Sequence, residues 1–278
     1  MKFFQRIAAR LLLRTSLSFL QSAKQLEVMV GHERALELLR VLCDGLSSKA
    51  SEFDHYVSAE RLSAAIYPKF KFSEFSRIFL EDEEFLRYYE RFMDVGNWHS
   101  LDRKFTLNQL LKLTLRLDGD VAECGVYKGA SAYLMCKAHQ NSNRTIHLFD
   151  SFDGLSTPEE GDGNYWTAGD LRSTQKQVEE SLAEFNNYRI YEGWIPERFP
   201  DISDKQFAFV HIDVDLFKPT LDAIDFFYSR MLPGGIILMD DYGFASCPGA
   251  KKAADDYFRG KPESVVMLST GQAFILKE

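Results

Sequence analysis

Along roughly the first 118 residues, apolar positions recur at helical spacing. Leu36, Leu38, Leu39 and Leu42 run up to Gly45, and Phe79, Leu80, Phe85, Leu86 and Tyr89 repeat the pattern. No alternating or continuous strand run interrupts them. The pattern predicts an α-helical N-terminal extension over 1–104, serving oligomerisation or acting as a lid. A helix near Thr106 to Leu117 then leads into the turn Asp118-Gly119-Asp120. Beyond that turn the texture changes to short apolar runs separated by helices, as in a parallel sheet buried on both faces. Strands are expected near 121–126, 145–150, 188–192, 207–213, 235–240, 264–268 and 272–277, with helices near 130–140, 171–186, 219–231 and 248–259. Pro219 and Pro248 stand at plausible helix starts. Only Ser269-Thr270-Gly271 separates the last two strands, too short a link for a crossover helix, so they must pair as an antiparallel hairpin. The expected fold is therefore α/β: a seven-stranded, Rossmann-like sheet over 105–278 closed by a C-terminal hairpin.

Composition narrows the chemistry. With 278 residues, 45% hydrophobic and 27% charged, the chain has the make-up of a globular protein with one large domain and an appendage. A formal charge of -8 argues against nucleic acid as a partner, since phosphate neutralisation needs a concentrated basic surface. Cys43, Cys124, Cys136 and Cys247 form no C-x-x-C pair, and a reducing, cytoplasmic setting is the expectation. Residues 1–24 carry Lys2, Arg6, Arg10, Arg14 and Lys24 among apolar residues and no acid, a basic amphipathic helix. Packing on its own domain or on a sister subunit of a homo-oligomer is the preferred reading; contact with a membrane surface is the second.

The chemistry-bearing residues gather at the carboxyl ends of the expected strands, where open α/β sheets bind ligands. Strand one ends in Glu123-Cys124-Gly125-Val126-Tyr127-Lys128-Gly129, followed by Ala130 and Ser131. This E-x-G-x-x-x-G turn opens a helix whose free N–H groups suit an anion. Without a middle glycine it suits an amino-acid carboxylate better than a dinucleotide pyrophosphate; glycines used only for packing are the alternative. Asp150, with Ser151 beside it, ends the second strand where an acid accepts from ribose hydroxyls. Gly193 and Trp194 cap the third, where Trp194 either lines an adenine pocket or covers the core. The fourth strand ends in His211-Ile212-Asp213-Val214-Asp215 and the fifth in Met239-Asp240-Asp241. Four carboxylates so close repel unless a cation lies between them, and a hard divalent ion such as magnesium suits oxygen donors. Asp213 and Asp215 share a face if the strand continues regularly. As a lone histidine, His211 reads as a core residue.

These segments, together with Phe149 to Leu155, Gly193 to Glu197, His211 to Leu216 and Leu232 through Asp240-Asp241-Tyr242-Gly243, resemble the macrocin O-methyltransferase family over roughly residues 105–278. The resemblance implies methyl transfer from S-adenosylmethionine to a sugar hydroxyl, with Mg2+ held by Asp213, Asp240 and Asp241 and with Asp215 as the base. It implies a cofactor site built from Glu123, Gly125, Gly129, Ser131, Asp150, Ser151, Gly193 and Trp194, and a glycoside or sugar as acceptor. Catechol O-methyltransferases place a lysine where this chain has Leu216, which weakens a phenolic-acceptor alternative. A non-catalytic nucleotide-binding protein of the same fold is the other alternative, and the intact acids argue against it. The long polar stretch Ser156 to Asp170 reads as a lid or as an ordinary surface loop.

Overall fold

The structure is a computed structural model that describes residues 21, 24–47, 49–66, 78–92 and 100–278. The basic segment 1–24 thus lies almost entirely outside the described residues. The chain divides into two compact units, Met1–Asp82 and Glu83–Glu278. In the first, α1 (His32–Gly45) and α2 (Glu52–Ile66) pack on each other, so closely at Gly45 that a Cβ there would meet Ser58 Cβ at 2.7 Å. No described helix is long and apolar enough to cross a membrane.

The second unit opens with α3 (Glu83–Phe92), which the sequence pattern places in the N-terminal extension 1–104, and α4 (Leu101–Thr114), the helix expected near Thr106 to Leu117. The unit boundary falls earlier because Phe85, Tyr88 and Phe92 of α3 are buried in the same core as Leu107 and Leu111 of α4. The Tyr88 hydroxyl donates to the Ala130 carbonyl at 2.8 Å, fastening α3 to the helix that follows the glycine turn.

The sheet comprises β1 (Asp120–Cys124), β2 (Ile146–Asp150), β3 (Tyr188–Glu192), β4 (Phe207–Ile212), β5 (Met231–Met239), β6 (Val266–Met267) and β7 (Ala273–Leu276), in the order β3-β2-β1-β4-β5-β7-β6. The first five pair in parallel; β7 runs antiparallel to β5 and β6, the hairpin that the short Ser269–Gly271 link demands. Between the strands lie α5 (Ala130–His139), α6 (Gln175–Ser181), α7 (Phe217–Tyr228) and α8 (Pro248–Phe258). Side chains alternate across the sheet. Val121, Leu148, Phe209, Ile236 and Leu238 share a core with α3 to α6, while Ala122, Phe149, Val210, Ile212 and Ile237 share one with α7 and α8. The strand order reverses at β1, between β2 and β4, so the crevice beyond the tips of β1 and β4 is the topological switch point where such sheets bind ligands.

Candidate active site

At this switch point lies a cavity of about 690 Å³, within the range of small-molecule sites. Gly125, Ser131, Asp150, Ser151, Gly193, Trp194, Asp213, Asp215 and Asp241 line it, whereas Glu123, Gly129 and Asp240 do not. Gly125 has φ +85, and a Cβ there would stand 1.7 Å from the Asp213 carbonyl oxygen, so only glycine lets the turn after β1 pass the tip of β4. Gly129, φ +88, is the N-cap of α5, whose first residues Ala130 and Ser131 line the cavity.

Two residues expected to meet the cofactor also hold partners within the protein. Asp150 spends its carboxylate on the backbone: Oδ2 accepts from Val126 N–H and Tyr127 N–H, both at 2.8 Å, and Oδ1 from Phe152 N–H at 2.7 Å. It pins the glycine turn rather than presenting two open oxygens to a ribose. Glu123 is 1% exposed and sits behind the cavity wall. Its register partner on β4 is His211, and His211 Nδ1 lies 2.9 Å from Glu123 Oε1 while Nε2 lies 3.2 Å from Asp240 Oδ1. Burial pushes His211 down to about 3, so the ring is neutral and has one N–H for two carboxyls. Burial lifts Glu123 well above the usual carboxylate range. His211 is thus a core residue, as its position inside a strand suggests, but one that joins the cofactor turn to the acid cluster.

The same alternation explains Asp240. It follows Ile236 and Leu238 on one face of β5, so its carboxylate turns inward, fully buried, and Oδ1 also accepts from Gln272 Nε2 at 2.5 Å. Asp241 faces the cavity, and its Oδ2 accepts the Asp215 N–H at 2.9 Å. The strand-face argument for Asp215 does not hold: β4 ends at Ile212, and Asp215 lies in the following loop with a left-handed φ of 59. That backbone nevertheless directs its carboxyl into the crevice, where Oδ1 accepts the Cys247 thiol at 3.3 Å. Burial, then the Asp213 charge, push Asp215 up to about 7. Burial and the Asp215 and Asp213 charges raise Asp241 well above its ordinary range. So dense an acid group calls for a cation.

Sequence reading missed the two cations that α4 supplies. Lys104, 3% exposed, donates from Nζ to Ser131 Oγ at 2.6 Å, at the first turn of α5. Burial lowers its pKa while the nearby Asp213, Glu123 and Asp241 charges hold it up. Arg103 Nη2 is in direct contact with Asp240 Oδ2 and lies 3.8 Å from Asp213 Oδ1 and 3.9 Å from Asp241 Oδ1. A lone Arg-Lys pair in a helical pattern carries no signal of either destination. The stretch 156–170 proves to be tethered: buried Asp162 accepts from Glu159 N–H at 2.8 Å and from Phe217 N–H at 2.7 Å, capping α7, whose own N-cap Leu216 has no side-chain acceptor. Trp166 Nε1 donates to Cys247 Sγ at 3.3 Å, and Tyr165 and Trp166 wall the cavity.

The model of one family, macrocin O-methyltransferase (TylF), matches residues 107–263, more than half of the chain. The chain belongs to the macrocin O-methyltransferase family. Among curated relatives of this family member, a tetracenomycin-C rhamnosyl 4'-O-methyltransferase from Streptomyces olivaceus is 30% identical over 159 residues, 51% of this chain and 59% of the relative. Demethyldecarbamoylnovobiocin O-methyltransferase from Streptomyces niveus is 31% identical over 157 residues, 50% of this chain and 58% of the relative. The chain thus spans somewhat under two thirds of the length of these curated relatives. Among solved structures, the calicheamicin methyltransferase CalS11 aligns with a TM-score of 0.57 at 16% identity, over 71% of this chain and 92% of that one. The O-methyltransferase NovP gives 0.53 at 22% identity, over 65% and 83%. These two likenesses show the class I methyltransferase fold.

The donor set fits a divalent ion by chemistry. Among the described residues the candidate ligand atoms fall into two groups, His211 with Asp213 and Asp240, and Asp215 with Asp241 and Cys247, so the three acids expected as one set are divided between them; the carboxylate oxygens in each are hard donors of the kind that suit magnesium. The Arg103 guanidinium lies among these acids.

Proposed function

We propose that this protein transfers the methyl group of S-adenosylmethionine to a hydroxyl of a sugar or glycosylated small molecule. The observation that carries the proposal is one cavity in which a glycine turn and helix N-terminus stand beside a buried carboxyl poised near neutrality. The α5 N-terminus, with Lys104 and Ser131 hydrogen-bonded beside it, would hold the carboxylate of the cofactor's amino-acid end. Asp150 serves by holding the Val126 and Tyr127 amides in place, and Trp194 lines the same cavity.

The cofactor's methyl carbon is already electrophilic beside its sulfonium, so the protein's task is to deliver an oxygen nucleophile in line with the carbon–sulfur bond. Asp215 takes the hydroxyl proton on its carboxylate as the oxygen–carbon bond forms. The carbon–sulfur pair returns to sulfur, leaving a neutral thioether, and the proton later passes to solvent. A carboxyl held near pH 7 is suited to that exchange. A magnesium ion held by Asp213, Asp240 and Asp241 would lower the acceptor hydroxyl's pKa. The aromatic wall of Tyr165 and Trp166 suits the apolar face of a sugar ring.

The test is transfer of labelled methyl from S-adenosylmethionine across a panel of deoxysugar nucleotides, glycosylated polyketides and catechols, with NADH titrated in parallel. Methylation of a sugar hydroxyl supports the reading. Methylation of catechols alone moves the acceptor to a phenol, and NADH binding in place of S-adenosylmethionine overturns the class.

A further inference from the structure

The 156–170 segment, the loop after β4 and the start of α8 meet in one junction. Leu155 N–H donates to the Asp170 carbonyl at 2.8 Å and Gly169 N–H to the Leu155 carbonyl at 2.9 Å, so the two ends of the segment are clasped together. Between them, buried Asp162 accepts the N–H of Phe217, two residues after Asp215, at 2.7 Å. Gly249 of α8 comes so near that a Cβ there would stand 1.8 Å from Asp162 Oδ1. Trp166 makes a further attachment. Its Nε1–H donates to Cys247 Sγ at 3.3 Å, and Cys247 Sγ donates to Asp215 Oδ1 at 3.3 Å. Trp166 is half-buried in the cavity wall, and Cys247 and Asp215 are buried beneath it. The direction of this chain is set by its first member. An indole nitrogen donates and never accepts, so the sulfur is the acceptor at that contact and its own proton must go elsewhere. Asp215 Oδ1 and, at 3.5 Å, Ser246 Oγ are in reach, and an ionised carboxylate is the stronger acceptor. Holding Oδ1 fixes the carboxyl's rotation about Cβ–Cγ, and with it the place of the second oxygen.

We propose that Trp166 is a positioning residue for the base: its indole N–H, acting through the Cys247 thiol, sets the orientation of the Asp215 carboxyl. The inference rests on the reading of Asp215 as the base of methyl transfer. It divides the work of one side chain. The ring of Trp166 contributes to acceptor affinity as part of the cavity wall, and its N–H contributes to the rate by aligning the group that takes the acceptor's proton. Seating of the 156–170 segment and alignment of the base then become one event, and an acceptor that holds the segment off its junction binds but reacts slowly.

The experiment is single-turnover methyl transfer by the full-length protein to a sugar acceptor at saturating S-adenosylmethionine, on the alkaline limb where the rate no longer changes with pH. W166F keeps an aromatic ring and loses the N–H. Its maximal rate should fall about three- to tenfold, the scale of one hydrogen bond, while the acceptor concentration at half-maximal rate moves by less than about twofold. C247A should lose at least as much. The double variant W166F/C247A should be no slower than C247A, because the N–H acts only through the sulfur. If W166F does not fold, the benzothiophene analogue of tryptophan placed at position 166, which keeps both rings and lacks the N–H, is read instead. An unchanged maximal rate in W166F overturns the proposal, whether or not more acceptor is needed to reach it. Costs of the two substitutions that multiply in the double variant overturn it as well. A wild type that binds no S-adenosylhomocysteine and methylates no sugar overturns methyl transfer and this proposal together, whereas an active wild type with an unmoved W166F counts against Trp166 alone.

Discussion

Replacing Asp215 with asparagine should remove most methyl transfer while leaving the cofactor pocket intact. Asparagine is the informative substitution because residue 215 has φ 59, a left-handed conformation that asparagine tolerates and alanine resists by about 1–2 kcal/mol. The backbone N–H that donates to Asp241 Oδ2 is kept, and the side chain keeps its size but accepts no proton. A positioned general base contributes about 10²–10⁴-fold, so a fall in kcat within that range is expected, with S-adenosylhomocysteine affinity changed by less than about threefold. The pH profile gives the sharper test. With Asp215 pushed up to about 7 by burial and by the Asp213 charge, the wild-type rate should rise with pH through neutrality. One unit below that value only about a tenth of the protein holds the base unprotonated. The variant's profile should be flat there. Cys247→Ala removes the S–H donation to Asp215 Oδ1, which favours the charged carboxylate. Its loss should move the inflection upward by about half a unit to one unit. Single-turnover methyl transfer at saturating cofactor across pH is the assay. A variant that keeps the wild-type rate, or one that keeps the inflection, would refute the base assignment.

Asp150→Ala should weaken S-adenosylhomocysteine binding, because the Val126, Tyr127 and Phe152 amides lose their acceptor and the turn loosens. A loss of about 1–3 kcal/mol by calorimetry is expected, and wild-type affinity would remove the turn-pinning role. Asp162→Ala takes the cap from α7 and the tether from the 156–170 segment, and should cost about 1–2 kcal/mol in thermal unfolding. It should also raise KM for the acceptor and admit proteolytic cleavage within the segment; unchanged resistance would show that Trp166 suffices. The C-terminal hairpin carries an acid-sensitive pair. Burial pushes the Glu263 carboxyl up, but the Lys277 ammonium and the Tyr228 hydroxyl outweigh it and bring the group down to about 2, below its ordinary 4.5. A depressed carboxyl stabilises above the unfolded value and loses that contribution as pH falls through the folded one. Lys277→Met should therefore lower the melting temperature at pH 7 and flatten its fall between about pH 4.5 and 2; parallel acid limbs in the two proteins would contradict this.

Much of the sheet was legible because a strand buried on both faces must be apolar throughout, and runs such as Phe207–Ile212 leave little alternative. The hairpin followed from the length of one link, and the glycine turn from a backbone that must pass under the tip of β4. The clustering of acids at two neighbouring strand tips was legible in the sequence, and the structure brings Asp213, Asp215 and Asp241 to one cavity. Asp240 was expected at the crevice with the other acids, and the structure turns it inward instead. What the tertiary structure decided was which oxygen meets which donor. Asp150, expected at a ribose, has its oxygens on backbone amides, and Asp215 reaches the crevice from a left-handed loop residue rather than from a strand face. Arg103 and Lys104 arrive from a helix that periodicity describes only as one apolar face and one polar one, and Arg103 and Lys104 lie before the first residue of the family match. Periodicity records which face of an element is buried, since burial repeats with the backbone. Contacts between residues far apart in the chain depend on how the elements pack and on where individual side chains come to lie, and no local repeat encodes that.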